Sequence, residues 1–477
     1  MNSRSGHAGQ TIIDTAASPR RWARWGSKAV ASAALGVLAT LAGCGSNSDD
    51  FFMPYAFAEL GQPNYNSAGS NFSAKPSAVN AKGVASPFGG AAVYVNGPTT
   101  LFYVADTGNN RILGWKSIPL SSSTPPDFVL GQSNFTSNSL GANANQLNGP
   151  SSVRVETNPA NPAVVRLVVA DTGNSRVLVW NTLPTTTAAA ADEVIGQSGF
   201  GVANSNPNQG AAAPSATTLK GPTDAAIAFG KMFIVDNGND RVLIYNDPGS
   251  SLANNQAADV VLGQPDMVTD QAGCVGTNLS TACTSTTGVN IANFVNSSKQ
   301  LYKPTGLDTN GTKLLVADTG NNRVMYWQNI PQPNASQADG VGASSVVGVN
   351  AFNTTSNGSN GPAGLNSPTG VAGLSGNSAG FYVADRGNNR VLFYASLPVQ
   401  NGQPASTVLG QSTFTRDAAN DDNQDGVSDA PSGTSGSGSL SVPSQRTLNG
   451  PSGVIVYNGV LYVTDTANNR IMEFSAN

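Results

Sequence analysis

One short string is written six times along the chain, as VADTGNNRILGW, VADTGNSRVLVW, IVDNGNDRVLIY, VADTGNNRVMYW, VADRGNNRVLFY and VTDTANNRIMEF. Its leading aspartates are Asp106, Asp171, Asp236, Asp318, Asp385 and Asp465, spaced 65, 65, 82, 67 and 80 residues apart. A proline opens a short apolar stretch ahead of each copy, at Pro87, Pro150, Pro222, Pro304, Pro368 and Pro451. Five copies are followed by a segment ending in Val-Leu-Gly-Gln or a close variant, with its glycine at Gly131, Gly196, Gly263, Gly348 and Gly410. A chain built this way packs copies of one unit against each other.

The unit reads as antiparallel strands. Proline opens a strand where its missing N–H does no harm. LFYVAD and RLVVAD are β-branched and aromatic, which suits strands. Asp-x-Gly-Asn-x-Arg is expected to be a tight hairpin in which Gly and Asn tolerate positive φ and Asp accepts nearby backbone N–H groups. Four residues beyond each Arg stands an aromatic: Trp115, Trp180, Tyr245, Trp327, Tyr394 or Phe474. A period of two puts that pair on one sheet face, and the positions between are mostly apolar, so both faces are expected to be buried. A four-stranded sheet covered on both sides by its own copies is a propeller blade.

The count predicts closure. Six Pro-led strands and six hairpins are present, but the chain stops just after the sixth third strand. Ala58-Glu59-Leu60-Gly61-Gln62 repeats the Val-Leu-Gly-Gln segment at the other end. The expected fold is all-β: a six-bladed β-propeller over residues 57–477 whose last blade is completed by the N-terminal strand, leaving no open edge at the closure. These strings resemble the NHL repeat, a family of propeller blades with a Pro-x-Gly-Val start and an Asp-x-Gly-Asn-x-Arg turn. The resemblance covers most of residues 57–477. It departs at Ala467, which replaces the turn glycine, and at Val349-Asn350, which breaks the Leu-Gly-Gln pattern.

In such a blade the Asp/Arg hairpin and the blade-to-blade crossover share one face of the disc. Between Gln62 and Ser86, Gln132 and Gly149, Gln197 and Gly221, Gln264 and Lys303, Asn350 and Ser367, and Gln411 and Gly450 lie 23, 16, 23, 38, 16 and 38 residues. These crossovers are rich in Ser, Asn, Thr and Gly, and loops of this length signal function or disorder. One long crossover holds Cys274 and Cys283, expected to form a disulfide in an oxidising compartment, two free thiols being the alternative. The other holds Asp421-x-Asn423-x-Asp425-Gly426-x-x-Asp429. With the Val427 carbonyl, this spacing suits calcium, although Ser432 stands where an EF-hand has its bidentate Glu; a merely solvated acidic loop is the alternative. Both devices could order a working face on the crossover side.

Ahead of the repeats, Arg20, Arg21, Arg24 and Lys28 precede an apolar run from Ala29 to Gly43 that ends in Leu41-Ala42-Gly43-Cys44. The run is short for a bilayer span but suits a signal-peptide core. Its ending resembles the bacterial lipobox, which implies removal of residues 1–43, lipidation of Cys44 and a tether over 44–56. Gly45 leans toward the outer membrane. The expected location is the cell envelope, facing the periplasm or the exterior.

Composition then removes chemistry. Charged residues are 11% of the chain, and Gly (53) and Pro (28) are abundant, which disfavours a helical bundle. The net charge is −4, or −8 without residues 1–43, so no nucleic-acid partner is expected. The only histidine, His7, lies within the expected signal segment, and the mature chain therefore has no Ser-His-Asp or His-metal site. Propeller enzymes such as the amidating lyases need histidine and metal, and lactonase-type propellers use a Glu among their calcium ligands. Only Glu59, Glu156, Glu193 and Glu473 occur here. The inner strands are mostly small and neutral, with Arg154, Asp224 and Asp308 as charged exceptions in three consecutive blades. These three are expected either to pair as framework or to form a ligand cluster at the channel. The expected function is a monomeric, membrane-anchored module that binds a protein or glycan through its long-loop face. The alternative is a calcium-dependent propeller enzyme, hydrolase or lyase, with a channel site lacking histidine.

Overall fold

The structure, a computed structural model, describes residues 54–72, 78–156, 165–203, 214–246, 252–269, 297–332, 339–354, 358–375, 380–423, 427–428 and 442–476. Among the described residues of the compact unit Phe51–Asn477, twenty-four strands form six four-stranded sheets. The first strand is β1 (Ala58–Leu60). Blade 1 follows with β2 (Ala91–Asn96), β3 (Thr99–Asp106), β4 (Arg111–Trp115) and β5 (Phe128–Leu130). Blade 2 holds β6 (Pro150–Val155), β7 (Leu167–Asp171), β8 (Arg176–Trp180) and β9 (Glu193–Ile195). Blade 3 holds β10 (Asp224–Ala228), β11 (Lys231–Asp236), β12 (Arg241–Asn246) and β13 (Val260–Leu262). In blade 4 they are β14 (Gly306–Thr309), β15 (Leu314–Asp318), β16 (Arg323–Trp327) and β17 (Ser345–Val347). Blade 5 holds β18 (Pro368–Ala372), β19 (Phe381–Asp385), β20 (Arg390–Tyr394) and β21 (Thr407–Leu409). Blade 6 has β22 (Pro451–Tyr457), β23 (Val460–Asp465) and β24 (Arg470–Ser475), and its fourth strand is β1.

The closing pair is antiparallel, with Ala58 opposite Glu473, Glu59 opposite Met472 and Leu60 opposite Ile471. The chain is thus an all-β six-bladed propeller sealed by its N-terminal strand. Six apolar clusters, one between each pair of neighbouring blades, hold the ring together. The last of them sets Leu60, Tyr462 and Ile471 of blade 6 against Ala91, Phe102 and Leu113 of blade 1. Because each sheet is covered on both faces, its strands are apolar without alternation, and burial rather than turn geometry drives closure.

The hairpin differs from expectation in one respect. Each Asp-x-Gly-Asn-x-Arg turn is a single 3₁₀ turn, such as Thr107–Asn109, and the left-handed residue is the one just before Arg. Those residues, Asn110, Ser175, Asp240, Asn322, Asn389 and Asn469, have φ between 51° and 53°. The turn glycine has no positive φ; it is small because a Cβ on Gly108 would stand 2.7 Å from the Ala85 carbonyl oxygen. Ala467 is tolerated in blade 6 because the Ala467 N–H to Asn449 O bond opens to 3.1 Å, from 2.8 Å at Gly108.

Candidate functional site

Each hairpin builds the same buried node. In blade 1, Arg111 Nε donates to Asp106 Oδ2 at 2.6 Å, Asn109 Nδ2 donates to the same oxygen at 2.8 Å, and Ala85 N donates to Asp106 Oδ1 at 2.7 Å. The outer edge of Arg111 donates to the carbonyls of Phe135, Asn80 and Gly83, which lie in two successive crossovers. The pair is fully buried, and its counterparts Arg176–Asp171, Arg241–Asp236, Arg323–Asp318, Arg390–Asp385 and Arg470–Asp465 are nearly so. Burial pushes the Asp106 carboxyl up, while Arg111 and the backbone donor pull it down. An arginine whose donors are filled this way is a staple for loops, not a catalyst.

The left-handed residue adds a bond that sequence reasoning missed. Its side chain accepts the N–H of the next blade's crossover: Gly149 on Asn110, Gly221 on Ser175, Lys303 on Asp240, Ser367 on Asn322, Gly450 on Asn389 and Ser86 on Asn469. The signal was present, since Asn, Ser and Asp alone occupy that position, and these residues accept hydrogen bonds, Asn and Asp tolerating the left-handed region best. The Gln of Leu-Gly-Gln locks the same turn, as when Gln132 Nε2 donates to Asn110 O at 2.8 Å. Hairpins and crossovers therefore share one face.

Along the axis the two halves of the channel differ. On the crossover side it narrows between Gly89, Gly306, Gly370 and Gly453, leaving about 10 Å³. Arg386, standing where four other blades carry the Thr or Asn that bonds the next blade's proline carbonyl, places its guanidinium 5.6 Å from the ring centre of Phe88 there. Deeper lie Arg154, Asp224 and Asp308, which the structure brings together from blades 2, 3 and 4. Arg154 meets Asp224 twice, at 2.9 and 2.6 Å, and donates to Leu307 O at 2.6 Å. Its Nη1 is 4.0 Å from Asp308 Oδ1. Asp308 Oδ2 accepts from Gly373 N and Leu374 N, each at 2.7 Å. Burial works against the charge on Arg154, but Asp224 and Asp308 outweigh it and its pKa rises. Burial raises Asp308, against Arg154 and the backbone donors. Past this plug the channel widens to about 390 Å³ on the opposite face, between Ala92, Ala226, Ile455 and Tyr457.

The acids of the clasp are a second oddity. Glu59 and Glu473 are buried at positions where other blades carry Val129 or Val194, and Val179 or Ile244. Oε1 of each has no hydrogen-bond partner among the described residues. Desolvation pushes both up to about 7, although Arg470 pulls Glu59 down. Glu156, by contrast, pairs with Arg166 at 2.7 Å.

Of the expected calcium ligands, Asp421 is fully buried, whereas Asn423 and Val427 are exposed. Asp425, Asp429, Cys274, Cys283 and Cys44 lie outside the described residues. Next to Asp421, Asp422 pairs with Arg446 at 3.0 Å, and the Arg446 guanidinium stacks 5.2 Å from the Tyr55 ring centre. The last crossover is thereby fastened to the segment that leads into β1. Among the described residues no group of three His, Cys, Asp or Glu side chains could hold a metal ion. No helix among them is long and apolar enough to cross a membrane.

No protein-family model matches the sequence, and no curated protein does. Solved structures are similar at low level, two of them as follows. The PQQ-bound form of the aldose sugar dehydrogenase from Streptomyces coelicolor is 11% identical, with 83% of this chain and 96% of that one covered and a TM-score of 0.40. The WD40 β-propeller domain of Doa1 is 8% identical, with coverages of 90% and 95% and a TM-score of 0.40. Neither likeness bears on activity.

Proposed function

We propose that the chain is an envelope-anchored NHL-type binding module that recognises a protein or glycan through its crossover face. One observation carries the reading: on that face the repeated Asp, Arg, Asn and Gln side chains are consumed by the framework and the axis is closed by glycines. What remains to meet a partner is the long, polar crossovers themselves. The crossover cavity bounded by Asn350, Thr354, Ser359 and Asn360 is lined by no titratable side chain, whereas a hydrolase or lyase needs an acid–base pair beside its cavity. Residues 1–43 act as a lipoprotein signal and Cys44 as the lipidated residue, with 44–56 as the tether. Calcium at Asp421, Asn423, Asp425, Val427 and Asp429, and a Cys274–Cys283 disulfide, order the two longest crossovers. Partners exclude nucleic acid, and the ring works as a monomer.

A photo-crosslinking residue placed at Ser412 on the crossover face, with Gly97 on the opposite face as control, tests the reading in envelopes of the source cell. Discrete adducts from Ser412 alone support it; equal or absent labelling from both sinks it. Cys44→Ser tests the anchor separately, because unchanged membrane retention refutes it. Calcium raises the melting temperature on this reading, and Asp425→Ala removes the rise.

A further inference from the structure

The wide half of the channel opens opposite the crossovers and plays no part in the function proposed above. At about 390 Å³ it falls in the range of roughly 300–1,000 Å³ usual for small-ligand sites. Its walls include Ala92, Val93, Ala226, Ile455 and Val456, which offer apolar contact and no charge. The floor is different. Arg154 and Asp308 both line the cavity, and the guanidinium and carboxylate stand 4.0 Å apart at Nη1 and Oδ1, beyond hydrogen-bond range. Their other edges are held: Nε and Nη2 of Arg154 by Asp224 and the Leu307 carbonyl, Oδ2 of Asp308 by the amides of Gly373, Leu374 and Ser375. One N–H edge and one carboxyl oxygen are therefore fixed side by side at the bottom of an apolar pocket. The Ser375 side chain also lines the cavity and bonds the Asp308 carboxyl, so a ligand hydroxyl shares that carboxyl with Ser375 or displaces its hydroxyl.

Charge decides what suits this floor. An anion drawn to Arg154 meets Asp308, and a cation drawn to Asp308 meets Arg154, in surroundings where like charges are poorly screened. A hydroxyl accepts from the guanidinium and donates to the carboxylate at once. A carbon-bound face with several hydroxyls at one end matches apolar walls over a polar floor.

We propose that this cavity binds a small neutral polyhydroxylated ligand, a monosaccharide or cyclic polyol, with one hydroxyl bridging Arg154 and Asp308 and its C–H face against Val93, Ile455 and Val456. The full chain is titrated with glucose, galactose, mannose and myo-inositol, and with glucuronate and protonated glucosamine as charged counterparts, by calorimetry and saturation-transfer NMR. At least one neutral probe saturates, and its charged counterpart binds at least tenfold more weakly. Val456→Trp fills the pocket without touching the floor and abolishes binding while the fold still melts cooperatively; Ala226→Leu serves if that variant does not fold. Absence of binding by every neutral probe overturns the proposal, as does binding that survives filling or equal binding of a charged sugar. A chain with a shortened 264–303 crossover keeps sugar binding, so this result and the crossover-face experiment fail independently.

Discussion

Ser86 N donates to Asn469 Oδ1 at 2.6 Å, joining the first crossover to the last hairpin across 383 residues of sequence. The same bond recurs between every other neighbouring pair of blades, so closure uses a contact already repeated around the ring. What differs at the closure is covalent. Every other blade owns its fourth strand in continuous sequence, whereas blade 6 borrows β1. To the Ser86–Asn469 bond the seal adds three ladder positions, the Gln62 Nε2 to Asn469 O and Arg470 Nη1 to Tyr65 O bonds, and the burial of Ala56, Ala58 and Leu60.

Removing the chain through Gln62 strips that strand and uncovers the edge of β24. The variant is expected to lose cooperative melting or to melt about ten degrees lower, since exposing two inter-blade clusters and a sheet edge costs several kcal/mol. Asn469→Gly keeps the left-handed backbone, removes the side-chain bonds and frees the unfolded chain, so its cost is about 1–2 kcal/mol. Chemical denaturation of both measures the difference. A truncated ring that melts like the full one refutes the clasp.

Glu59 and Glu473 make the closing blade sensitive to pH. Both carboxyls are raised to about 7 in the fold, from 4.5 without it, so the folded state holds protons that the unfolded chain releases. Their contribution is complete below about pH 4.5 and is lost as pH rises through 7, by an amount of the order of 3 kcal/mol each. Stability should therefore fall between about pH 5 and pH 8. The hairpin aspartates are also raised by burial, but the Glu59→Val/Glu473→Val pair isolates the clasp. The double variant should melt higher than wild type at about pH 8 and show a flatter profile; an unchanged slope excludes these residues as the cause.

The buried Asp/Arg nodes are costly to break from one side. Asp236→Ala leaves Arg241 charged and dry, bonded to the carbonyls of Met267, Ser215 and Thr218, and is expected to destabilise by about 3–5 kcal/mol. The pair sits in an interior blade with no role at the closure. Urea titration of Asp236→Ala beside Asp236→Ala/Arg241→Met separates the two terms: the double variant should recover part of the loss. A single variant within about 1 kcal/mol of wild type would show the node to be incidental.

Repetition made the ring legible. Asp106 and its five equivalents, the prolines and the stray copy at Ala58–Gln62 revealed the blade number and the closing strand, because a periodic sequence must place equivalent residues in equivalent surroundings. Contacts made by non-repeating residues were harder to read. Asp308 finds its amide partners at Gly373, Leu374 and Ser375 through the next blade, which no spacing within its own strand announces. The cavity was invisible for the same reason, as its walls come from strands far apart in sequence. Glu59 and Glu473 stood out as rare acids, but their burial follows from strand pairing across the two ends of the chain.

The hairpin glycine offers a last check on how the turn works. If Gly108 were needed for a left-handed backbone, alanine in its place would strain φ; the structure instead gives that conformation to Asn110, at φ 53°. The obstacle to a side chain at Gly108 is the Ala85 carbonyl, which a Cβ would approach to 2.7 Å. Gly108→Ala is therefore expected to lengthen the Gly108 N–H to Ala85 O bond toward the 3.1 Å seen at Ala467 and to cost about 1 kcal/mol, the scale of one weakened hydrogen bond. Ala467→Gly should shorten its own bond and change stability by less, because the gain is offset by greater freedom in the unfolded chain. Thermal melts and amide exchange at residues 108 and 467 measure both. A Gly108→Ala loss above about 3 kcal/mol would point to backbone strain instead of close approach.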